Sequence, residues 1–366
     1  MKPNLVVLLV ILLALIIGCS NNFNNIPEKE TVQIGAIIAL TGSTAAIGKR
    51  AQNSFEVLVD LHNNNQDNKK QIELIYEDDA YTPKKTVDSY YFLKQKGIKY
   101  FLGMGSGPGL AIAPLIEQDN FIFMSPSATA AAFRTAGNNS FRVVQSSDKE
   151  GILIADIINK LGIKKLAVLV HPSDYGMSYL KAVKENFKGE VVLAEALDLN
   201  SDYSTEILKV KASGADGLFF VDLGPGASKL LNKRYLLDKN IKLVSHQWVL
   251  TPDVIGATKE NSEGVIFTAI TLDENNLKYQ EFAREYQKRY NTEPTFDALI
   301  YADGANVLFE AIDQTDGSTE AIRYFILNNK FEGFTGDLEF DEYGDRKEII
   351  LRAYIIKNHK IEKFES

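Results

Sequence analysis

"KYFLGMGSGPGLAIAPLIEQ" (residues 99–118) and "DGLFFVDLGPGASKLLNKR" (residues 216–234) share one layout. In each, an apolar run of strand length passes through Gly-Pro-Gly into a stretch whose apolar residues recur at helical spacing. The segments upstream correspond as well. "VQIGAIIALTGSTAAIGKRAQNSFEVLVDLHN" (32–63) and "KKLAVLVHPSDYGMSYLKAVKENF" (164–187) both read as strand, loop, glycine and long helix. A chain that lays down one α/β unit twice builds two similar lobes, and the cleft between two lobes is a place to bury a ligand.

Working outward, β-branched and aromatic runs predict strands at 32–40, 72–76, 100–104, 121–124 and 141–144. A second set is predicted at 166–170, 191–197, 218–221, 242–245 and 265–268, with helical patterns between most of them. Helices are then expected at 277–290, 296–314 and 319–327. A β-hairpin over "TGDLEFDEYGDRKEIILRAYIIK" follows, with its turn at 341–345 and Gly344 free to take positive φ. Strands alternating with helices predict parallel, doubly wound sheets. Ligands of such sheets lie beyond the carboxyl ends of the strands. The loops to watch are therefore 41–47, 78–82, 105–109, 125–130, 171–176, 222–227 and 245–251.

With 366 residues, 45% hydrophobic and 24% charged, the chain has ordinary globular composition and the length of two domains. Its 40 Lys and Arg against 48 Asp and Glu give a net charge of −8, which argues against a nucleic-acid partner. The N-terminus reads as an export signal: Lys2, an apolar run over 5–17, then Ile16-Ile17-Gly18-Cys19, which resembles a bacterial lipobox. Cys19 is the only cysteine, so no intrachain disulfide can form. The expectation is a signal peptide over 1–18 and lipidation of Cys19, which anchors the chain to a membrane without spanning it. Residues 19–30 then form a polar, Asn-rich tether that reaches roughly 40 Å when extended.

Two loops of the first half have the chemistry of a small-carboxylate site. Ser106-Gly107-Pro108-Gly109 opens a helix, whose free N–H groups and positive end attract an anion, and the glycines let a ligand approach the backbone. Ser125-Pro126-Ser127-Ala128-Thr129 ends the next strand with small hydroxyls. The same residues are also ordinary helix caps. In the second half Tyr175, Asp222 and Trp248 follow strands. Asp222 suits either a ligand cation or a helix N-terminus, and Trp248 either a cleft wall or the core. Catalytic readings fare worse. Gly105-x-Gly107-x-Gly109 has the wrong spacing for a dinucleotide loop. Ser106 with His171 or His246 and Asp222 lacks a nucleophile elbow. Neither histidine has metal-ligand spacing. No catalytic set, cofactor or metal is expected.

Taken together, "IGAIIALTGSTAAIGKRAQNSFEVLVDLHN", "FLGMGSGPGLAIAPLIEQDNFIFMSPSAT", "FRVVQSSDKEG", "HPSDYGMSYLKAV" and "FEGFTGDLEFDEYGDR" resemble the type I periplasmic binding proteins. Within them the nearest likeness is to the branched-chain amino-acid (Leu/Ile/Val) binding proteins of ABC transporters. The resemblance implies two Rossmann-like lobes joined by a three-crossover hinge. Lobe 1 would be 31–143 plus 272–336, and lobe 2 would be 144–271 plus 337–366. It implies a ligand carboxylate on Ser106 and on Ser127, Ala128 and Thr129, with help from Tyr175. It also implies a membrane permease as partner, a place at the cell envelope, and no covalent chemistry. The chain departs from the family where an acid pairs with the ligand ammonium: here stand Gln247-Trp248. A second family tyrosine falls at Leu223-Gly224, the first-loop aromatic is Ile47, and the family disulfide is missing. The carboxylate half of an amino-acid site is kept, and the ammonium half lacks a partner unless Asp222 serves. The expected ligand is an amino acid held differently, or a related carboxylate or amide. The alternative is an interaction lipoprotein of the same fold that senses a ligand or activates a cell-wall enzyme.

Overall fold

A computed structural model describes residues 29–249, 251–273 and 275–365. The expected signal peptide, Cys19 and almost all of the tether lie outside the described residues.

Two sheets organise the chain. The first contains β1 (Glu30–Ile38), β2 (Lys70–Asp78), β3 (Tyr100–Leu102), β4 (Ile122–Met124) and β5 (Ser140–Phe141), all parallel, in the order β2-β1-β3-β4-β5. The second contains β6 (Lys165–Val170), β7 (Glu190–Ala196), β8 (Gly217–Val221), β9 (Lys242–His246) and β10 (Ile266–Ile270). These run parallel in the order β7-β6-β8-β9-β10. The two orders are the same, so the duplication read from the sequence is a duplication of topology. In each sheet the order reverses beside the first strand, and that switch point is where an open α/β sheet leaves a crevice.

β11 (Leu351–Lys357) and β12 (Lys360–Lys363) extend the second sheet antiparallel from β10. The expected turn at 341–345 is present, with the Gly344 N–H bonded to the Asp341 carbonyl at 2.9 Å and φ 80 at Gly344. It joins only isolated bridges, however, and those lie beside Arg142 of the first lobe. The longer hairpin turns at Asn358-His359, both left-handed at φ 50 and 60. Asn-His is a weaker turn signal than the Gly-containing pair upstream, which is why the sequence points to the wrong one. The chain thus returns to the second sheet only at Leu351, later than residue 337.

The helices follow the strands as the spacing predicts: α1 (Ala45–Asn64), α2 (Pro83–Gln95), α3 (Ser106–Gln118), α4 (Ser147–Lys160) and α5 (Asp174–Asn186). Then come α6 (Ser204–Ala212), α7 (Pro225–Asn232), α8 (Pro252–Thr258), α9 (Leu277–Tyr290), α10 (Phe296–Gln314) and α11 (Thr319–Asn328). The Gly-Pro-Gly units form the first helical turns rather than separate loops. Gly105 (φ 75) precedes α3 and Gly224 (φ 45) precedes α7, each taking a backbone conformation that a Cβ disfavours. α10 is buried over most of its length and packs with α1, which places α9 to α11 on the first lobe. The chain passes between the lobes three times, before β6, after β10 and before β11. One apolar cluster runs without a break from Phe55 and Leu102 in the first lobe to Tyr175, Phe219 and Trp248 in the second, so the lobes are closed on each other. Among the described residues no helix is long and apolar enough to cross a membrane.

Candidate functional site

The strand-end loops of the two lobes meet around one small internal cavity of about 20 Å³. The first lobe supplies Ile47, Tyr81, Met104, Gly105, Ser106, Ser127 and Tyr301; the second supplies Tyr175, Leu223 and Trp248. A cavity of that volume holds about one water molecule. The space at Ser106 therefore does not admit an amino acid, while a separate pocket of about 410 Å³ opens between Ile47 and Arg50 of the first lobe and Gly224, Lys229 and Asp253 of the second. Much larger hollows exist. One of them, about 960 Å³, is an open groove beside Arg50, Phe267 and Phe296, and loops 105–109, 125–130 and 171–176 take no part in it.

Each lining residue comes from an element whose placement follows from the sequence. α3 starts at Ser106, so its first amides face the cleft from the end of β3. The Ser106 hydroxyl accepts from the Ala130 N–H at 3.0 Å. The Ser127 hydroxyl accepts from the Gly105 N–H at 2.9 Å and bonds the Tyr301 hydroxyl at 2.9 Å. These two hydroxyls therefore tie loops 105–109 and 125–130 together. Behind them Arg142, fully buried, donates Nη1 to the carbonyls of Ala128 (2.9 Å) and Ala130 (2.8 Å). Its other nitrogens form a fork on Asp345, Nε to Oδ1 at 2.6 Å and Nη2 to Oδ2 at 2.7 Å. Arg142 is the strut of the 125–130 loop.

Of the residues singled out in the sequence, Ser106, Ser127, Tyr175 and Trp248 meet at the cavity. Gly107, Ala128, Thr129 and Asp222 do not line it. Thr129 Oγ1 is buried beside Tyr179 without a hydrogen bond of good geometry. Asp222 turns back into its own lobe, where Oδ2 accepts from the Tyr203 hydroxyl at 2.9 Å and Oδ1 from the Leu223 N–H at 2.8 Å. Its carboxylate packs on Gly226, where a Cβ has no room. Burial pushes its pKa up to about 6 despite those two bonds. Gln247, at the family's acid position, accepts from the Ile270 N–H at 3.0 Å and so serves the backbone.

Tyr175 bonds His246 Nε2 at 2.6 Å, and His246 stacks on Tyr179 at 4.8 Å. Burial lowers the His246 pKa to about 3, so the ring is neutral. Tyr179 in turn donates to Glu150, which also accepts from Thr268 at 2.5 Å. Desolvation raises Glu150 to about 6. Trp248 is buried with its ring edge against Phe296 at 5.2 Å, a contact between lobes, and its Nε1 has no partner. Arg50 of α1 bridges the lobes too, bonding Asp297 at 2.7 Å and Asp253 of α8 at 2.5 Å.

Sequence reasoning missed Tyr81, Tyr301, Met104 and the supporting Arg142. Tyr81 stands in the 78–82 loop that the strand-end rule selects, so position alone signals it. Tyr301 is mid-helix, with nothing in its neighbourhood to mark it. No charged side chain lines the cavity. The wall offers a helix-terminal amide, phenol hydroxyls and an indole N–H over apolar surface. It can bind and orient a small polar molecule. Among the described residues no group of three or more His, Cys, Asp or Glu is placed to hold a metal.

Two α/β lobes of identical strand order, hinged by three passages and closed over a cavity with no charged side chain in its wall, have the form of a clamp. The sequence matches the periplasmic binding protein family over residues 31–357, and the chain belongs to that family. It is similar to the leucine-, isoleucine-, valine-, threonine- and alanine-binding protein of Pseudomonas aeruginosa, 23% identical over 89% of this chain and 90% of that protein. Its fold is similar to the branched-chain amino-acid transporter substrate-binding protein LivJ of Streptococcus pneumoniae, solved with isoleucine. The TM-score is 0.80 at 24% identity, covering 91% of this chain and 98% of that one. It is equally similar to an ABC-transporter solute-binding protein of Rhodopseudomonas palustris solved with 3,4-dihydroxybenzoic acid. There the TM-score is 0.81 at 24% identity, covering 92% and 96%.

Proposed function

We propose that this protein is an extracytoplasmic, lipid-anchored solute receptor that delivers a small carboxylate to the membrane permease of an ABC transporter. The observation that carries the reading is that Ser106, at the start of α3, and Trp248, whose buried Nε1 has no partner, line from opposite lobes one cavity with no charged side chain in its wall. Family membership supports it. A carboxylate without an ammonium group suits this wall better than an α-amino acid. With Asp222 turned away and Gln247 engaged, a buried ammonium has no acidic partner and costs several kcal/mol. The structural relatives named above hold either type of ligand. The cavity at Ser106 is too small for either, so a solute reaches that site with the lobes apart. It favours closure only by binding the closed state more tightly than the open one.

The test is a thermal-shift screen followed by calorimetry with benzoate, hydroxybenzoates, short aliphatic carboxylates, leucine, isoleucine and valine. A carboxylate at a hundred times its Kd should stabilise the fold by about 2.7 kcal/mol. A melting temperature indifferent to all of them overturns the receptor reading. That result favours the interaction lipoprotein, to which the small cavity at Ser106 also lends weight, and a pull-down recovering an envelope enzyme instead of a permease would support it. For the anchor, Cys19→Ala should move the protein from the membrane fraction to the soluble one, and unchanged fractionation counts against lipidation.

A further inference from the structure

The loop after β2 holds two consecutive non-glycine residues in the left-handed region, Ala80 (φ 46) and Tyr81 (φ 58). Side chains with a Cβ avoid that region unless their surroundings impose it. Here two aspartates impose it. Asp78 Oδ1 accepts from the N–H groups of Leu40 (2.9 Å), Thr41 (3.1 Å) and Ala80 (3.0 Å). Asp79 Oδ1 accepts from the Tyr81 N–H at 2.8 Å, and its Oδ2 accepts from Thr86 at 2.9 Å. The outcome of this bracing is the aim of one side chain. The Tyr81 ring lies in the interlobe cleft directly over Gly105, where any Cβ would collide with the ring and its hydroxyl. The hydroxyl lies at the start of α3, beside Gly105 and the Ser106 backbone amide, without a hydrogen bond of good geometry to that amide. That amide opens α3 and is the natural seat for a ligand oxygen. With the ring in place only about 20 Å³ remains, beside the unpartnered Trp248 Nε1.

We infer that Tyr81 is an intramolecular stand-in for the ligand, a tethered six-membered ring with its oxygen beside the Ser106 amide, which a monocyclic aromatic carboxylate displaces when it binds. The inference rests on the receptor reading above and narrows it to a substrate class. The space that the phenol yields, joined to the small cavity, is shaped for a benzoate-sized ring. The incoming carboxylate brings a charge-assisted hydrogen bond to the Ser106 amide, where the neutral phenol makes none of good geometry. Trp248, whose Nε1 has no partner, lines the same cavity and offers a donor for a second oxygen. Closure with Tyr81 inside and closure with the ligand inside are then competing states, and Tyr81 sets the affinity threshold.

The experiment compares the full chain with its Y81F and Y81G variants by calorimetry, using benzoate, 4-hydroxybenzoate, isoleucine and p-cresol. Y81F keeps the ring and deletes the hydroxyl that stands in the carboxylate's place, so benzoate should bind roughly 2- to 10-fold more tightly, a change on the scale of one hydrogen bond. Y81G deletes the plug at a position whose φ suits glycine, so the fold is spared backbone strain. It should bind benzoate at least as tightly as Y81F, and it should bind p-cresol, a free copy of the lost side chain, which wild type does not. Benzoate affinity that is unchanged or weaker in both variants overturns the inference and makes Tyr81 a wall or a ligand contact. A gain for isoleucine alone overturns the aromatic class. If no probe, p-cresol included, binds any of the three proteins, the receptor reading falls and takes this inference with it.

Discussion

Arg142→Met should destabilise the fold by about 3–5 kcal/mol in chemical denaturation, the penalty for stripping one partner from a buried ion pair. The guanidinium is fully buried and Asp345 is only 3% exposed, so solvent does not replace the lost donors. Arg134 still reaches Asp345 at 2.8 Å, which holds the cost toward the lower end of that range. The carbonyls of Ala128 and Ala130 lose their donors at the same time. Arg142→Lys should recover only part of the loss, because one ammonium cannot fork onto both Asp345 oxygens and also reach two carbonyls. The consequence for function follows the hydrogen bonds. The Ala130 N–H holds the Ser106 hydroxyl, and Ser127 holds the Gly105 N–H, so a slack 125–130 loop loosens the start of α3. Ligand affinity should therefore fall in Arg142→Lys even at temperatures where that variant is folded. An Arg142→Met protein with wild-type stability would show that Asp345 and the loop find other partners.

The architecture was legible because it rests on local patterns. Apolar runs alternating with amphipathic helices specify parallel sheets, and the duplicated Gly-Pro-Gly units announce two similar lobes. The strand-end rule also selected the loops that supply Ile47, Tyr81, Ser106, Ser127, Tyr175, Leu223 and Trp248 to the cavity. It could not say which way their polar atoms turn. Ser106 and Ser127 spend their hydroxyls on neighbouring backbone, and Asp222 satisfies Tyr203 and the Leu223 N–H instead of facing the cleft. Side-chain direction depends on partners remote in sequence: Asp345 lies 203 residues from Arg142, and Tyr301 lies 174 from Ser127. Tyr81 is the instructive case. Its loop was selected, but the left-handed turn that swings it inward is built by Asp78 and Asp79, two residues that read as an ordinary polar strand end.

Glu150→Gln should stabilise the protein by about 2 kcal/mol near pH 7.5 and by nothing near pH 4. Glu150 is 1% exposed, and its two partners are hydroxyls, not a cation. Desolvation dominates those hydrogen bonds and raises its pKa from 4.5 to about 6. The sign follows from linkage. The folded state binds this proton more tightly than the unfolded state, so the associated stability is complete below pH 4.5 and disappears as pH rises through 6. A carboxyl raised by that margin gives up ~2 kcal/mol when it must ionise in place. Glutamine keeps both contacts without the charge, accepting through Oε1 from one hydroxyl and donating through Nε2 to the other. His246 acts with the opposite sign. Held neutral with its pKa lowered from 6.5 to about 3, it subtracts stability as pH falls below 6.5. The raw pH profile of either protein therefore mixes the two slopes. The difference between variant and wild type cancels His246 and leaves Glu150 alone. Melting temperatures of the pair measured from pH 4 to 8 should converge on the acid side and separate on the alkaline side. A constant offset across that range would mean that Glu150 does not titrate within it. A variant less stable at every pH would mean that the carboxylate is ionised and well solvated by Tyr179 and Thr268.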